Sequence, residues 1–197
     1  TGTMLDQNDL AAMVGFAKES GGALILDEIY QGLHHRPVAY STGLAVRDDL
    51  YILNSFSKYF GMTGWRLGWV VVPEEAVDPI TKLAQNLFIS PNAPAQYAAL
   101  AAFDDQALAI HEARRETFAQ RAALMADGLK RLGFQIPVMP DGAFYHYVDV
   151  SHTGMTSSDF CWRLMDEFQV AVTPGSDFGV HQADRYARFA YTRGAEA

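Results

Sequence analysis

Lys58 and Arg66 are the two cations of a segment that otherwise consists mainly of small, aromatic and apolar residues, SFSKYFGMTGWRLGW at 55–69. The hydroxyls of Ser55 and Ser57 precede the lysine. Hydroxyl donors and a bidentate guanidinium suit a phosphate group, and partial burial makes an amine a better nucleophile because it favours the uncharged form. A single lysine is more often a solvated surface group. These neighbours instead favour a reactive lysine beside a phosphate site, the chemistry of a phosphorylated aldehyde.

Asp27 and Tyr30 form a second candidate group at the end of the run ALILDEIY, residues 23–30. A carboxylate at the end of a buried strand often only caps the loop that follows. The functional alternative is electrostatic, because a carboxylate that faces a pyridine nitrogen keeps it protonated and lets the ring accept the electrons of a carbanion. Tyr30 could then reach the phenolic oxygen of the same ring. Both alternatives stay open on these residues alone.

Short apolar runs that end in polar residues position both groups. Residues 23–30 and 50–57 each have this form, which is typical of buried strands in a parallel sheet. A third run, Leu67 to Val72, is closed by a proline, and a helix capped by Asp6 or Asn8 precedes all three. Open α/β sheets bind ligands at the carboxyl ends of their strands. Such sheets usually have about five or six strands, so we expect part of the sheet to lie outside this sequence.

The second half of the chain begins with a long helical pattern from Asp104 to Leu132, which differs from the apolar runs of the first half. Beyond it, short apolar stretches surround one helix, SSDFCWRLMDEF, which is typical of a small α+β domain. The stretches are FQIPV, AFYHYVDV, VAVTPG and YARFAYT. We therefore expect two domains, residues 1–103 and residues 104–197, with the long helix linking them.

In its motifs the sequence resembles the fold-type I pyridoxal-phosphate enzymes, and within them the class I/II aminotransferases. The resemblance is centred on LDEIY at 26–30 and SFSKYFGMTGWRLGW at 55–69 and extends over nearly the whole chain. It implies an aspartate-aminotransferase-like α/β fold, with residues 1–103 in the large cofactor-binding domain and 104–197 in the linking helix and the small domain. It also implies pyridoxal 5'-phosphate as cofactor, an amino acid and a 2-oxo acid as substrates, and a homodimer when full length.

The resemblance also implies a role for each candidate residue. Lys58 would bind the cofactor's aldehyde as an imine and later move a proton between the substrate Cα and the cofactor C4′. Asp27 would pair with the pyridinium and Tyr30 would donate to O3′. The phosphate would be held by Ser55, Ser57 and Arg66.

The motif YARFAYT resembles the place where the family binds the substrate α-carboxylate through an arginine, here Arg188. Arg185 and Arg193 compete for this role, but only Arg188 lies inside the alternating strand pattern. A structural ion pair is the alternative for Arg188.

Composition excludes several classes of partner. A net charge of -8 and a pI near 5.1 argue against a surface for nucleic acid or an anionic membrane.

Cys161, the single cysteine, has helical spacing with apolar neighbours and is interpreted as a packed thiol. His34, His35 and Arg36 are interpreted as a solvated loop rather than a metal site. No apolar run reaches the ~18 residues of a membrane span, and a cytoplasmic location is expected.

Family members carry a longer N-terminal part, and Thr1-Gly2 resembles the end of an Asn-Pro-Thr-Gly element. We therefore expect a fragment whose activity in isolation is in doubt. Two alternatives to a transaminase stay open. One is a lyase with the same lysine and aspartate, such as a carbon–sulfur lyase, and the other is an aminotransferase-like sensor domain of a transcriptional regulator.

Overall fold

The computed structural model describes residues 2–36 and 42–194, which form two compact units. The first unit is Met4–Arg115, and the second begins at Glu116 and includes the N-terminal residues up to Thr3. The division between them falls inside the helix α4, Asp105–Arg131. The domain boundary between residues 103 and 104 stays a prediction.

The first unit begins with the helix α1, Gln7–Glu19. The side chain of Asp6 caps it by accepting hydrogen bonds from the backbone N–H groups of Asn8 and Asp9, at 2.8 and 2.9 Å. Leu10 and Val14 are the buried positions of its inner face. The predicted helix is confirmed, and of the two cap candidates the structure uses Asp6.

Helix α1 packs against a three-stranded sheet with the order β1-β2-β3. The strands are β1 Ile25–Asp27, β2 Tyr51–Ser55 and β3 Gly68–Val71. Strands β1 and β2 are parallel, as predicted, whereas β3 is antiparallel to β2. The reversal is possible because an antiparallel neighbour needs no crossover helix. Leu26 and Ile52 point to the α1 side and complete the core there.

Two further helices follow β3 in the first unit, α2 Glu74–Leu87 and α3 Ala93–Ala101. Residues of α3 and its C-terminal end pack under the segment that follows β2. This second apolar cluster consists of Phe56, Met62, Ala99 and Ala102. It ties the loop that carries Lys58 to the helical part of the unit.

The second unit contains an antiparallel sheet with the order β4-β6-β5, and the helix α5, Ser157–Phe168, packs on it. The strands are β4 Tyr145–Asp149, β5 Thr173–Pro174 and β6 Tyr186–Ala190. Val150, Phe160, Cys161 and Ala187 form the buried core of this unit, so the packed thiol is confirmed.

One predicted strand of the second unit is reduced to a single contact. The stretch FQIPV contributes only an isolated bridge between Gln135 and Asp149. Pro137 gives the physical reason, because proline has no backbone N–H to continue a ladder. Within the described ranges, no helix is both long and apolar enough to cross a membrane.

Candidate functional site

The carboxyl ends of β1 and β2 place Asp27 and Ser55 at the same edge of the first sheet. Asp27 is in register with Leu53, and Ser55 lies two residues further along β2. Strand geometry then puts the Cα atoms of Asp27 and Ser55 about 8 Å apart. Both alternate with the buried residues Leu26 and Ile52, so they lie on the sheet face opposite α1. The structure therefore places these two residues at one edge of the sheet.

The antiparallel direction of β3 returns the chain to the same edge. Gly68, the first residue of β3, is in register with Ser55, and Arg66 comes two positions before it. Arg66 is exposed and adopts a left-handed backbone conformation, with φ 53° and ψ 53°, while its Nη1 donates to the Thr63 carbonyl at 3.0 Å. Such a conformation is uncommon outside glycine. Arg66 is thus held at the edge that carries Asp27 and Ser55.

The lysine loop, residues 56–62, is fixed by hydrogen bonds to its own ends. The Ser57 N–H donates to the Ser55 hydroxyl at 3.0 Å, and that hydroxyl donates to the Leu67 carbonyl at 3.2 Å. The Met62 N–H donates to the Phe56 carbonyl at 2.9 Å. Satisfied backbone groups restrict the loop. Both serines therefore lie beside Lys58, and Ser57 is buried.

Lys58 is half-buried, and its ammonium nitrogen lies 5.4 Å from the centre of the Tyr30 ring. A cation over an aromatic face at this distance is an attractive contact. Tyr30 lies in the turn after β1, and Asp27 stabilises that turn by accepting a hydrogen bond from the Ile29 N–H at 3.1 Å. The local capping role of Asp27 is therefore real. It uses one carboxylate oxygen, Oδ1, so a second role at the same edge is compatible with it.

The neighbouring carboxylate, Glu28, has a structural role. Its Oε1 accepts a hydrogen bond from the Gly43 N–H at 2.7 Å and its Oε2 accepts one from the Thr42 hydroxyl at 2.9 Å. Glu28 thereby holds the short 3-10 turn Gly43–Ala45 near β1. Of the two adjacent acidic residues, only Asp27 is directed to the edge where the lysine loop begins.

Arg188 lies in the second unit, on β6, and lines an open cavity of about 280 Å³ with three aromatic residues, Tyr145, Tyr147 and Phe178. Its guanidinium is 4.8 Å from the Phe178 ring centre, and Nη2 donates to the Thr173 hydroxyl at 3.3 Å. Among the described residues, the buried Nε of Arg188 has no hydrogen-bond partner. A buried donor without a partner is costly, which marks this cavity as suited to an anion.

The two competing arginines have other surroundings. Arg185 forms an ion pair with Asp149 at 2.6 Å, and Asp149 is almost fully buried. Burial raises the pKa of Asp149, but hydrogen bonds from Arg185 and Ser151 outweigh it, so the pKa lies below its usual value. Arg193 is exposed after the end of β6. The ion-pair role thus falls to Arg185 rather than to Arg188.

A third set of residues, next to Lys58, was not predicted from the sequence. Tyr59 donates a hydrogen bond to Glu112 at 2.6 Å, and Arg115 donates to the other oxygen of Glu112 at 2.7 Å. The two ends of the first bond lie 53 positions apart. No local pattern pairs these two residues. In the sequence, Tyr59 is one of several aromatic residues in the segment 55–69, and Glu112 is one of several charged residues on a long helix.

Over residues 2–36 and 42–194, no three side chains of the histidine, cysteine, aspartate or glutamate type come together as a metal site would require. His34 lies beside Arg115, whose Nη1 donates to the His34 carbonyl at 3.2 Å. Burial, together with the nearby Arg115 charge, lowers the pKa of His34. This segment therefore packs on α4.

The donor set at the edge fits a phosphorylated pyridine aldehyde. It combines a half-buried amine, a carboxylate, a phenol, two hydroxyls and a guanidinium, each on a fixed element. The amine suits an aldehyde carbon, the carboxylate a protonated ring nitrogen, and the guanidinium and hydroxyls a phosphate. The residues present therefore fit pyridoxal 5'-phosphate.

Comparison with known proteins gives a consistent result. Residues 1–195 match the family model described as "Aminotransferase class I and II". The valine–pyruvate aminotransferase of Mycobacterium tuberculosis is 36% identical over 192 residues, which covers 97% of this chain and 50% of that protein. The chain thus spans about half the length of the curated relatives it matches.

Solved structures agree with this match. An aminotransferase from Mycobacterium tuberculosis superposes with a TM-score of 0.94 at 35% identity, covering 100% of this chain and 51% of that one. The aspartate aminotransferase of Thermotoga maritima gives a TM-score of 0.87 at 30% identity, covering 100% and 50%. The predicted aspartate-aminotransferase-like α/β fold is confirmed.

Proposed function

The chain belongs to the class I and II aminotransferase family, and from this premise we propose that the full-length protein is a pyridoxal-phosphate-dependent transaminase that exchanges an amino group between an amino acid and a 2-oxo acid. The observation that carries the proposal is the sheet edge itself. Asp27 and Ser55 end two parallel strands, the Lys58 nitrogen lies 5.4 Å from the Tyr30 ring, and β3 returns Arg66 to the same edge.

Each residue has one task in this proposal. When bound, the cofactor would supply an electron sink for the carbanion that forms at the substrate Cα. Asp27 would hold positive charge at the pyridine nitrogen, and Tyr30 would donate a hydrogen bond to O3′. Ser55, Ser57 and Arg66 would bind the phosphate, which fixes the ring relative to the lysine loop. Lys58 would then hold and move the proton at Cα.

We further propose that Arg188 binds the α-carboxylate of the substrate. The support is its buried Nε, which lacks a partner among the described residues, and the aromatic walls of its cavity. Aromatic walls exclude water, and an ion pair with a carboxylate is stronger where water is excluded. Because the relatives differ in the substrates that their names state, valine and pyruvate in one and aspartate in another, the amino acid is left to experiment.

The test uses the full-length protein, since the curated relatives are about twice as long as this chain. Pyridoxal phosphate is added, the visible absorption of its adduct is recorded, and borohydride reduction is followed by peptide mass mapping. We expect one modified lysine, Lys58, and loss of the visible band in Lys58→Ala but not in Lys82→Ala. Label spread equally over Lys18, Lys82 and Lys130 would contradict the proposal.

Amino-group transfer is then measured with a panel of amino acids and 2-oxo acids. Conversion of the bound cofactor to its amine form that depends on a 2-oxo acid partner identifies a transaminase. Release of ammonia and a 2-oxo acid from a single substrate would instead identify the lyase alternative. Cofactor binding without turnover, combined with a DNA-binding module elsewhere in the protein, would identify the regulator.

We also propose a homodimer in the cytoplasm. The dimer is supported by apolar side chains that α2 and the residues after it leave exposed, among them Leu83, Leu87 and Ile89. The cytoplasmic location is supported by the single cysteine of these 197 residues, because proteins of oxidising compartments often carry paired cysteines. Light scattering of the full-length protein and cell fractionation test the two statements, and a monomer would overturn the first.

A further inference from the structure

We propose that Tyr59, together with Glu112, positions Lys58 against Tyr30, so that a hydrogen bond from the lysine loop to helix α4 keeps the amine at the sheet edge. This inference rests on the proposed function, because it concerns the geometry of the same site. It adds two positioning residues that lie outside the set of groups expected to contact the cofactor.

The first observation is the hydrogen bond itself. Tyr59 immediately follows Lys58, and its hydroxyl donates to Glu112 Oε1 at 2.6 Å. Arg115 donates to Glu112 Oε2 at 2.7 Å, one helical turn further along α4. A carboxylate that accepts from a phenol and a guanidinium forms short, strong hydrogen bonds. The residue next to Lys58 is therefore anchored to a helix rather than to another loop.

The second observation is the packing of the Tyr59 ring against Gly32. A Cβ atom built on Gly32 would lie 2.8 Å from the ring of Tyr59, and Gly32 has φ +90°. Gly32 comes two residues after Tyr30, and the Leu33 N–H donates to the Tyr30 carbonyl at 3.0 Å. The Tyr59 ring thus contacts the turn that carries Tyr30, while its backbone is bonded to Lys58. One side chain couples the two groups of the site.

A third contact fixes the backbone of the same loop. Arg114 donates to the Tyr59 carbonyl at 3.4 Å. Its guanidinium also fills the space beside Gly61, where an added Cβ would lie 2.4 Å from Nη1. The lysine loop is therefore held by α4 through the backbone and the side chain of Tyr59.

The charges are consistent with a lasting bond. Burial, together with the hydrogen bond to Glu112, raises the pKa of Tyr59 to about 12, so the phenol stays a donor. The hydrogen bonds from Tyr59 and Arg115 lower the pKa of Glu112, so the carboxylate stays an acceptor. Without the bond, the loop next to Lys58 would lose a fixed point. Displacements of about 1 Å are enough to slow a reaction up to a hundredfold.

The experiment compares Tyr59→Phe, Glu112→Gln and a matched control, Tyr97→Phe, in the full-length protein with pyridoxal phosphate bound. Tyr97 is 76% exposed on α3. For Tyr59→Phe we expect kcat to fall roughly tenfold with KM changed less than twofold, since a net hydrogen bond to a charged group is worth about one such factor. Glu112→Gln keeps an acceptor and should lose about threefold. Tyr97→Phe should match the wild type.

A second measurement separates positioning from general stability and from the proposed function. Hydrogen exchange of peptides covering residues 56–62 is measured on the cofactor-free protein, where Tyr59→Phe should speed exchange several-fold while peptides from α1 stay unchanged. If the wild-type protein shows neither the visible absorption of the cofactor adduct nor turnover, the proposed function is overturned. Hydrogen exchange of the loop would still test the Tyr59–Glu112 hydrogen bond in that case. Unchanged exchange in the loop, or a uniform change over the whole protein, would overturn the positioning role.

Discussion

The two sheets of the chain differ in how far the described residues cover them. In the second unit, Val148 and Ala187, which are paired across β4 and β6, are 0% exposed, and Tyr147 and Arg188 on the opposite face are partly buried. In the first unit, α1 covers one face, whereas Ile25, Leu53 and Val70 on the other face are 63%, 42% and 39% exposed. Asp27 and Ser55 lie on that second face. The sheet that carries the candidate site is thus half-covered, and the sheet that carries Arg188 has a closed core.

This difference follows from what each sheet does. A closed core stabilises its unit through apolar burial, at about 25 cal/mol per Å². An apolar face in water contributes little until another surface covers it. Substitutions on the open face of this sheet should therefore cost little stability, except where a loop of the site packs on the substituted residue.

The largest loss of stability is expected for a substitution at Gly32, which has a positive φ and lies against the Tyr59 ring. Gly32→Ala should destabilise the first unit by roughly 2–4 kcal/mol, because a left-handed alanine costs about 1–2 kcal/mol and the Tyr59 ring must also move. Gly21→Ala is the matched control, since Gly21 also has positive φ but open space around it. It should lose only the backbone cost. Urea unfolding of the full-length protein measures both, and equal losses would show that the Tyr59 contact is soft.

The comparison between the sheets is tested directly by two identical substitutions. Val148→Ala removes fully buried methyl groups from β4 and should cost about 2 kcal/mol, whereas Val70→Ala on the open face of β3 should stay within about 0.5 kcal/mol. Hydrogen exchange of β4 and β3 peptides reports each unit separately. A cost at Val70 as large as that at Val148 would mean that the full-length protein buries this face as deeply as the closed core.

The closed unit also contains an acid-sensitive ion pair between Asp149 and Arg185. Because the pKa of Asp149 is lowered on folding, its contribution is complete above the ordinary aspartate pKa and is lost as the pH falls through the lowered value. Asp149→Asn should cost about 1 kcal/mol at neutral pH, the scale of one net hydrogen bond. It should also flatten the acid limb of the stability profile. Glu167→Gln, which breaks the exposed pair with Arg163, should change that limb much less, because solvent screens an exposed pair.

Cys161 in the same core tests the comparison through reactivity rather than through stability. Burial raises the pKa of its thiol to about 11. At pH 8 the thiolate fraction is then about 0.1%, roughly two hundredfold below that of a free cysteine. Alkylation by iodoacetamide should be slow in the native protein and ordinary in concentrated urea. Fast native alkylation would show that the second unit opens readily and that its core is less closed than the burial of Val148 suggests.

Local chemistry in the sequence predicted several parts of the structure. Apolar runs closed by polar residues predicted β1 and β2, and a cap at Asp6 or Asn8 predicted the start of α1. The resemblance carried by LDEIY and SFSKYFGMTGWRLGW predicted the family. The sequence also singled out Asp27, Tyr30, Lys58 and Arg66, because their residue types are unusual for their positions. These features are readable because each depends on a few neighbouring residues.

How these groups meet depends on the tertiary structure. The antiparallel direction of β3 returns Arg66 to the edge of Asp27 and Ser55, and the ion pair with Asp149 distinguishes Arg185 from Arg188. The anchor from Tyr59 to Glu112 joins positions that are 53 residues apart. Such pairings depend on strand direction and helix placement, which are set by the packing of the whole unit. Short segments of sequence cannot specify them.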